Sequence, residues 1–423
     1  MERIPLAIVG CGGMGHRHLF ALAELYNNDL SQFELVGACD PVTANAESLA
    51  NRAEEFFGRR PTVVGNMEEL KKLDIAAVDI TTTPRYHHTL GVEALQHNWH
   101  AMIEKPVALT VRACNVIRNA AAQSNRVVSV AENYRRDPVN RLAKSLLDTG
   151  VIGDPHFMFH HSSGGGNQMM ISVWRHQKDQ SGVLLDVGVH FADILEYFLG
   201  EVTTVYAQMR LYEPTRYNPV ALGAEPTANP SGVYGEAQKA MPAEFTATAD
   251  DAVFAVINFK NGAVANYVEN HAGHGKAIWD RQIHGSKGSM DMPNDRSGKS
   301  LRLTLDRTTI VEDAAVLDLA PADFTLDKAT SVLFGGDRLW RYDFPFELTD
   351  RKLIAVEYAD FALGILGERP VEVDLDQGAR SVALSYALME SGFAGGKVLA
   401  VDDVLGEQVN AYQADIDQSL GLA

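Results

Sequence analysis

Short apolar runs punctuate the first third of the chain, at residues 6–9, 33–38, 62–64, 75–80, 100–103 and 127–130, with helix-spaced stretches such as 44–57 and 89–97 between them. Apolar runs of that length flanked by turn residues predict buried strands, and apolar positions recurring at three and four predict amphipathic helices. Six strands alternating with helices imply a parallel, doubly wound α/β sheet. Such a sheet takes its ligand in the crevice at the carboxyl ends of its strands.

The pattern changes after Asn133. Helices are predicted at 138–148, ended by Gly150, and at 182–199, closed by Gly200. Long β-like runs follow at 202–211, 252–259, 262–270 and 278–284, separated by Lys260-Asn261-Gly262 and Gly285-Ser286-Lys287-Gly288. Neighbouring strands with few helices between them point to an antiparallel or mixed sheet, so the chain divides into a first domain over 1–132 and an α+β domain over 133–423. Residues 213–249, rich in Pro, Gly, Ala and Glu, read as a long loop, either a lid or an oligomer arm. Residues 306–349 read as a second irregular insertion, and helical periodicity returns at 351–365 and 377–392.

Composition narrows the partners. A formal net charge of -18 argues against nucleic acid and against an anionic membrane surface. No uncharged apolar stretch is long enough to predict a membrane span. The three cysteines, Cys11, Cys39 and Cys114, form no Cys-x-x-Cys pair and no disulfide framework, which suits a reducing compartment. The first strand begins almost at once and leaves no room for a signal peptide, so a cytoplasmic protein is expected.

The chemistry starts at the end of the first strand, with Gly10-Cys11-Gly12-Gly13-Met14-Gly15 and a helix behind it. A strand, a Gly-x-Gly-x-x-Gly turn and a helix form a device for a dinucleotide. The first glycine makes the tight turn, the second lets the backbone approach a pyrophosphate, and the third lets helix and strand pack closely. The second strand ends at Asp40, placed to bind a ribose diol or to cap the next helix. Pro41, Val42 and Thr43 follow, with no Arg or Lys to hold a 2′-phosphate, so NAD is favoured over NADP. After the fourth strand, Thr83-Pro84 suits a helix start with Thr83 as cap, and His87 either touches the cofactor or is structural. After the fifth strand, Glu104-Lys105-Pro106 points Lys105 into the same crevice, with Pro106 a candidate cis peptide.

In the helix at 182–199, Leu184, Val187, Phe191, Ile194 and Phe198 form an apolar stripe, while Asp186, His190 and Asp193 form a second stripe beside it. Asp186 and His190 at i and i+4 are neighbours. They are either a structural hydrogen-bonded pair or a general acid/base histidine oriented by a carboxylate. Gly188 between them leaves room for a substrate or another backbone. His156, His160 and His161 fall on a predicted strand, where His160 and His161 face opposite ways, poor geometry for one metal. His271 and His274 flank Gly273 near a loop, where they are candidates to face substrate. No metal site is expected.

Taken together, Gly10-x-Gly12-x-x-Gly15-x-x-His18, Asp40-Pro41, Thr83-Pro84-x-x-His87, Glu104-Lys105-Pro106 and Gly182-x-x-x-Asp186-x-Gly188-x-His190-x-x-Asp193 resemble the Gfo/Idh/MocA family, the glucose-fructose oxidoreductase and inositol dehydrogenase relatives. The resemblance implies an N-terminal Rossmann domain and a C-terminal domain with an open, largely antiparallel sheet that serves as an oligomer interface, giving a dimer or tetramer, with the active site between the domains. It implies Lys105, Asp186 and His190 as the catalytic set. Gly10, Gly12, Gly13, Met14, Gly15, Asp40, Thr83, Pro84, His87, Glu104 and Lys105 would hold NAD, with Trp174-Arg175 near the nicotinamide. Asn133, Tyr134 and Arg135 would join Lys105, Asp186 and His190 around the substrate. The expected reaction is hydride transfer at a secondary alcohol of a sugar, polyol or glycoside. Oxidation of a cyclic dihydrodiol, glycoside cleavage by transient oxidation, and a catalytically silent nucleotide sensor are the alternatives.

Overall fold

The six apolar runs of the first third are six parallel strands: β1 (Ile4–Val9), β2 (Phe33–Cys39), β3 (Thr62–Val64), β4 (Ala77–Ile80), β5 (His100–Glu104) and β6 (Val128–Ala131). A computed structural model describes residues 3–225 and 229–422 of the chain. Among the described residues these strands form one sheet in the order β3-β2-β1-β4-β5-β6, every neighbouring pair parallel. β4, β5 and β6 are buried at every position, which is why they read as near-continuous apolar runs rather than as alternation. The strand order reverses between β1 and β4, so the ligand crevice opens there. The crossovers are α1 (Gly13–Asn27), α2 (Thr43–Phe57), the short α3 (Met67–Leu70), α4 (His87–Gln96) and α5 (Val111–Ala121).

The chain forms two units, one of Met1–Asn133 with Glu347–Ala379, the other of Tyr134–Phe346 with Arg380–Ala423. A single cut at 132 would assign all of 133–423 to the second domain, yet residues 347–379 return to the first. The physical reason lies in four contacts. Val130 N–H donates to Val373 O (2.9 Å), and Ser129 bridges Asp374, which adds backbone to the free edge of β6. Arg17 holds both carboxylate oxygens of buried Asp350 (2.9 and 2.6 Å), and Phe361 stacks on Phe33.

The second unit is built on a mixed sheet. Its elements begin with α6 (Pro138–Asp148), β7 (Pro155–Gly165), α7 (Val183–Asp186), α8 (Gly188–Leu199) and β8 (Val202–Arg210). After β8 come β9 (Thr215–Tyr217) and β10 (Glu244–Thr246), then β11 (Ala252–Phe259), β12 (Val264–Gly273), β13 (Ile278–Gly285), β14 (Gly288–Met292), β15 (Arg302–Leu305), β16 (Thr309–Glu312) and β17 (Leu399–Ala400). Nine of these, again among the described residues, run in the order β16-β15-β14-β13-β7-β12-β11-β8-β17. Only the β7–β12 pair is parallel, so the open sheet is largely antiparallel as expected. Pro138 opens α6, and the Asp137 side chain caps it by accepting from Val139 N–H (2.9 Å).

Three expectations need correction. The helix at 182–199 is two pieces, α7 and α8, joined at Val187, where His190 N–H reaches back three residues to Val187 O (3.0 Å). Gly188, a poor helix former, sits at that joint. The stretch 213–249 is not a featureless loop: β9 and β10 pair within it, and Gly235–Lys239 is helical, while residues 226–228 lie outside the described residues. The insertion at 306–349 likewise contains β16 and a helix at Lys328–Phe334, capped by Asp327. No helix among the described residues is long and apolar enough to cross a membrane.

Candidate active site

The glycine turn has three distinct environments. Gly10 sits at φ +101°, and a Cβ there would lie 2.8 Å from Thr82 N, so only glycine fits the turn from β1 to α1 where it passes the end of β4. A Cβ on Gly15 would lie 2.3 Å from Gly10 O, the close helix–strand approach expected of the third glycine. A Cβ on Gly12 would meet nothing within 4 Å: it would fill the space where a pyrophosphate approaches the backbone. Gly12 is the N-cap of α1 with no side chain closing it, and Gly13, Met14 and Gly15 form the first turn, so helix N–H groups are left for an anion. Thr81 fixes the turn from β4, its N–H on Val9 O (2.9 Å) and its hydroxyl on Gly10 O (2.7 Å).

Asp40 does not cap α2, whose N-cap is Val42 with no side-chain capping bond; its carboxylate instead ties two loops together. Its Oδ2 accepts from Cys11 N–H (2.8 Å) inside the glycine turn, and its Oδ1 accepts from Val42 N–H (2.8 Å) at the start of α2. Two N–H donors fix the carboxylate in place and leave it lone pairs for a ribose diol. These residues therefore fit NAD.

At the carboxyl end of β4, Thr83 stands at the N-cap of a short 3-10 turn begun by Pro84, but its side chain makes no capping bond, contrary to expectation. His87 is fully buried, its ring nitrogens 2.9 Å from Pro106 O and 3.1 Å from Thr82 O. Burial lowers its pKa, so the neutral ring donates to one carbonyl at a time and ties the loop after β4 to the loop after β5. The Lys105–Pro106 peptide is cis. Glu104, last residue of β5, accepts from His18 Nε2 (3.2 Å), while His18 Nδ1 faces Asp79 Oδ2 (2.9 Å) and the Tyr358 hydroxyl donates to Asp79 as well. Burial pulls the His18 pKa down, but Asp79 and Glu104 outweigh it and hold the ring as an imidazolium. Burial pushes Glu104 up, and His18, Lys105 and Arg17 overcome that and hold it below the usual carboxylate range. Lys105 thus projects from a strand end anchored by a sealed charge cluster. Asn133, two residues beyond β6, is buried.

In the second unit, Tyr134 stacks on His190 with ring centroids 4.0 Å apart and planes 3° from parallel. The Arg296 guanidinium lies 4.7 Å from the Tyr134 ring centre. Arg135 donates to Asp193 (Nε to Oδ2, 2.8 Å), which fixes α8 to the segment after β6. Arg175 donates to Asp186 Oδ2 and to Ser172 Oγ (both 2.8 Å), and its guanidinium lies 4.1 Å from the Trp174 ring centre. Asp186 and His190 are therefore each held by a partner from outside their own helices. The space left by Gly188 is taken by a side chain: a Cβ there would come within 3.2 Å of Glu269 Oε2.

Glu269 is a residue the motifs did not single out. It is buried on β12, where it accepts from the Tyr267 hydroxyl (2.5 Å) and from His271 Nε2–H (2.7 Å). Tyr267, Glu269 and His271 alternate along one strand face, a period-two spacing that was visible in the sequence. His176 and Arg216, also buried, were missed; neither carries a motif. Among the described residues no group of three or more His, Cys, Asp or Glu side chains could hold a metal ion.

Comparison with known proteins agrees with this geometry. Residues 4–132 match a family model described as the NAD-binding Rossmann fold of an oxidoreductase family, and residues 144–399 match that family's C-terminal alpha/beta domain. The chain is 30% identical over 304 residues to the levoglucosan dehydrogenase of Pseudarthrobacter phenanthrenivorans, covering 69% of this chain and 73% of that one. It is 27% identical over 228 residues to the inositol 2-dehydrogenase of Salmonella typhimurium, covering 53% of this chain and 62% of that one, less than two thirds of the relative. In fold it is similar to an NAD binding oxidoreductase from Klebsiella pneumoniae (TM-score 0.74, 22% identity, 94% and 99% of the chains). A levoglucosan dehydrogenase solved with NADH is similar as well (TM-score 0.73, 23% identity, 95% and 99%).

Proposed function

The chain belongs to the Gfo/Idh/MocA oxidoreductase family, and from that premise we propose that it transfers hydride between a secondary alcohol of a sugar, polyol or glycoside and NAD. The observation that carries this reading is Lys105 at the carboxyl end of β5, on the same edge of the parallel sheet as the glycine turn and Asp40. The relatives named above as levoglucosan and inositol dehydrogenases support the substrate class.

NAD, when bound, supplies the carbon that accepts the hydride. The backbone of Gly10 to Gly15 holds its pyrophosphate and Asp40 a ribose diol, with Thr83, Pro84 and His87 shaping the loops beside them. Lys105 donates a hydrogen bond to the reacting oxygen and stabilises the negative charge that develops there. His190 accepts the hydroxyl proton, with its ring plane set by Tyr134. Asp186, anchored by Arg175, orients His190 or binds a neighbouring hydroxyl. Trp174, Asn133 and Arg135 complete the surroundings.

Purified full-length protein with NAD and a panel of neutral sugars and polyols should generate reduced nicotinamide, read by its absorbance. Lys105→Ala should lower kcat by about 10²–10³-fold, and His190→Ala by about 10²–10⁴-fold. Unchanged turnover in either variant overturns the role given to that residue. Release of an aglycone with no net reduced nicotinamide, or turnover confined to cyclic dihydrodiols, overturns the substrate and reaction assignment.

The same reading makes the protein a homo-oligomer through the open sheet. Tyr206, Phe254, Val256 and Phe157 are exposed on its strands, and Tyr206 pairs with Val256 in register. Light scattering should give a dimer or tetramer, and Val256→Lys should dissociate it. The three cysteines are buried and free, in keeping with a reducing compartment such as the cytoplasm.

A further inference from the structure

Within the second unit lies a cavity of about 420 Å³, in the size range of small-molecule sites. Its walls include the end of β7 at Ser163, the end of β12 at His271, the start of β13 at Trp279, and Gln168, His176 and Arg216. It adjoins the proposed chemistry, because His176 follows Arg175, the partner of Asp186. The insertion at 213–249 builds part of this wall. Met169 N–H donates to Tyr217 O (2.7 Å), Thr248 N–H to His176 O (3.0 Å), and the Arg216 guanidinium grips Gly166 O (2.6 Å) and His271 O (3.1 Å).

The two imidazoles are locked in opposite senses. Glu269 takes one hydrogen bond from the Tyr267 hydroxyl and one from His271 Nε2, so Nε2 of His271 carries the proton. In the neutral ring Nδ1 is then an acceptor, and it has no hydrogen-bond partner among the described residues. His176 Nε2 accepts from Met170 N–H (2.9 Å), so its proton is on Nδ1 and that atom is a donor. Burial, with Arg216, His271 and Arg175 nearby, lowers the His176 pKa to about 3, so it stays neutral. The remaining cation in the wall, Arg216, is already paired with buried Asp251 (2.8 Å). The cavity therefore offers hydroxyl, amide and imidazole groups and an indole, with no uncommitted positive charge for a phosphate or carboxylate.

We infer that this cavity is the specificity pocket of the enzyme, in which His271, oriented by Glu269, accepts a hydrogen bond from a hydroxyl of a neutral polyhydroxylated substrate and His176 donates one. This rests on the dehydrogenase reading above and adds which part of the chain chooses the alcohol. His271 and His176 are binding residues, and Glu269 is a positioning residue.

The test is steady-state kinetics of the full-length enzyme with NAD and the best neutral sugar or polyol of the panel. His271→Ala should raise KM for the sugar about tenfold or more, with a smaller fall in kcat and little change in KM for NAD. Glu269→Gln should move the sugar KM in the same direction by less, and Glu269→Asp should restore part of it. The phosphate ester of the same sugar should be poorer in kcat/KM by about tenfold. A crystal of the NAD complex soaked with the sugar should place a hydroxyl against His271 Nδ1, which keeps the inference open to refutation if His271→Ala does not fold. An unchanged sugar KM in His271→Ala, a preference for the phosphate ester, or an empty cavity in the soaked crystal overturns the pocket while wild-type turnover still stands. No turnover of any sugar or polyol by the wild type overturns the dehydrogenase reading and this inference with it.

Discussion

Each unit buries a cluster of histidines and carboxylates, and the two clusters are finished differently. Around His18 the ring is closed off: His18, Asp79 and Tyr358 are wholly buried and both ring nitrogens lie on carboxylates, although Asp79 Oδ1 and Glu104 Oε2 are left without a hydrogen-bond partner among the described residues. Around His271 one ring nitrogen is fixed by Glu269, the other has no hydrogen-bond partner among the described residues, and the residue lines a cavity. A buried histidine with both ring nitrogens engaged inside the protein holds a fold, whereas one with a free acceptor in the wall of a cavity is ready for a ligand. The same side chain thus serves positioning in one unit and recognition in the other.

The largest effect that separates them should come from His18→Ala. It leaves Asp79 and Glu104 buried without their shared counter-charge, and urea unfolding of the full chain should show a loss of about 3–5 kcal/mol. A loss as small as that of a surface substitution would erase the contrast. The pH dependence of wild-type stability sharpens it next. Because the folded pKa of His18 is raised, its contribution is complete below the ordinary value of about 6.5 and is lost as pH climbs through the folded value. Unfolding free energy should therefore change less between about pH 6 and about pH 9 in His18→Gln than in wild type. Tyr358→Phe removes one donor from Asp79 and should cost about 1–2 kcal/mol without moving the sugar KM. His271→Asn removes one of the two donors on buried Glu269 and should cost about 1–2 kcal/mol as well, but unlike Tyr358→Phe it should raise the sugar KM. An unchanged sugar KM there would make His271 another structural histidine.

The sequence disclosed what is local. The strands of the first sheet are predominantly apolar between turn residues, so their bounds could be read to within a residue or two. The glycine turn, Asp40 and Lys105 follow directly from strand ends, so the apolar run preceding each is enough to place it. What stayed hidden is long-range. Asp79, a carboxylate within an apolar strand, signalled that it needed a partner, but Tyr358 lies 279 positions downstream of it. The α7–α8 joint escaped because apolar periodicity continues across Val187, although Gly188 hinted at it. Gly188 itself read as an opening for substrate, and only packing reveals that Glu269 occupies the space. The insertion at 213–249 has a loop's composition, yet β9 and β10 and the buried Arg216 give it a defined wall.

The return of residues 347–379 to the first unit sets the order in which this protein can mature on the ribosome. When Asn133 has emerged, the nucleotide-binding sheet is complete in strands but lacks Asp350 for Arg17, the Tyr358 hydroxyl for Asp79 and the backbone of Val373 along β6. Those arrive only after the whole mixed sheet up to β16 has been synthesised. The N-terminal unit is begun first and finished late, so a gene fragment cut at its apparent boundary would encode a sheet with an open edge, an arginine deprived of its aspartate and an unfinished charge cluster.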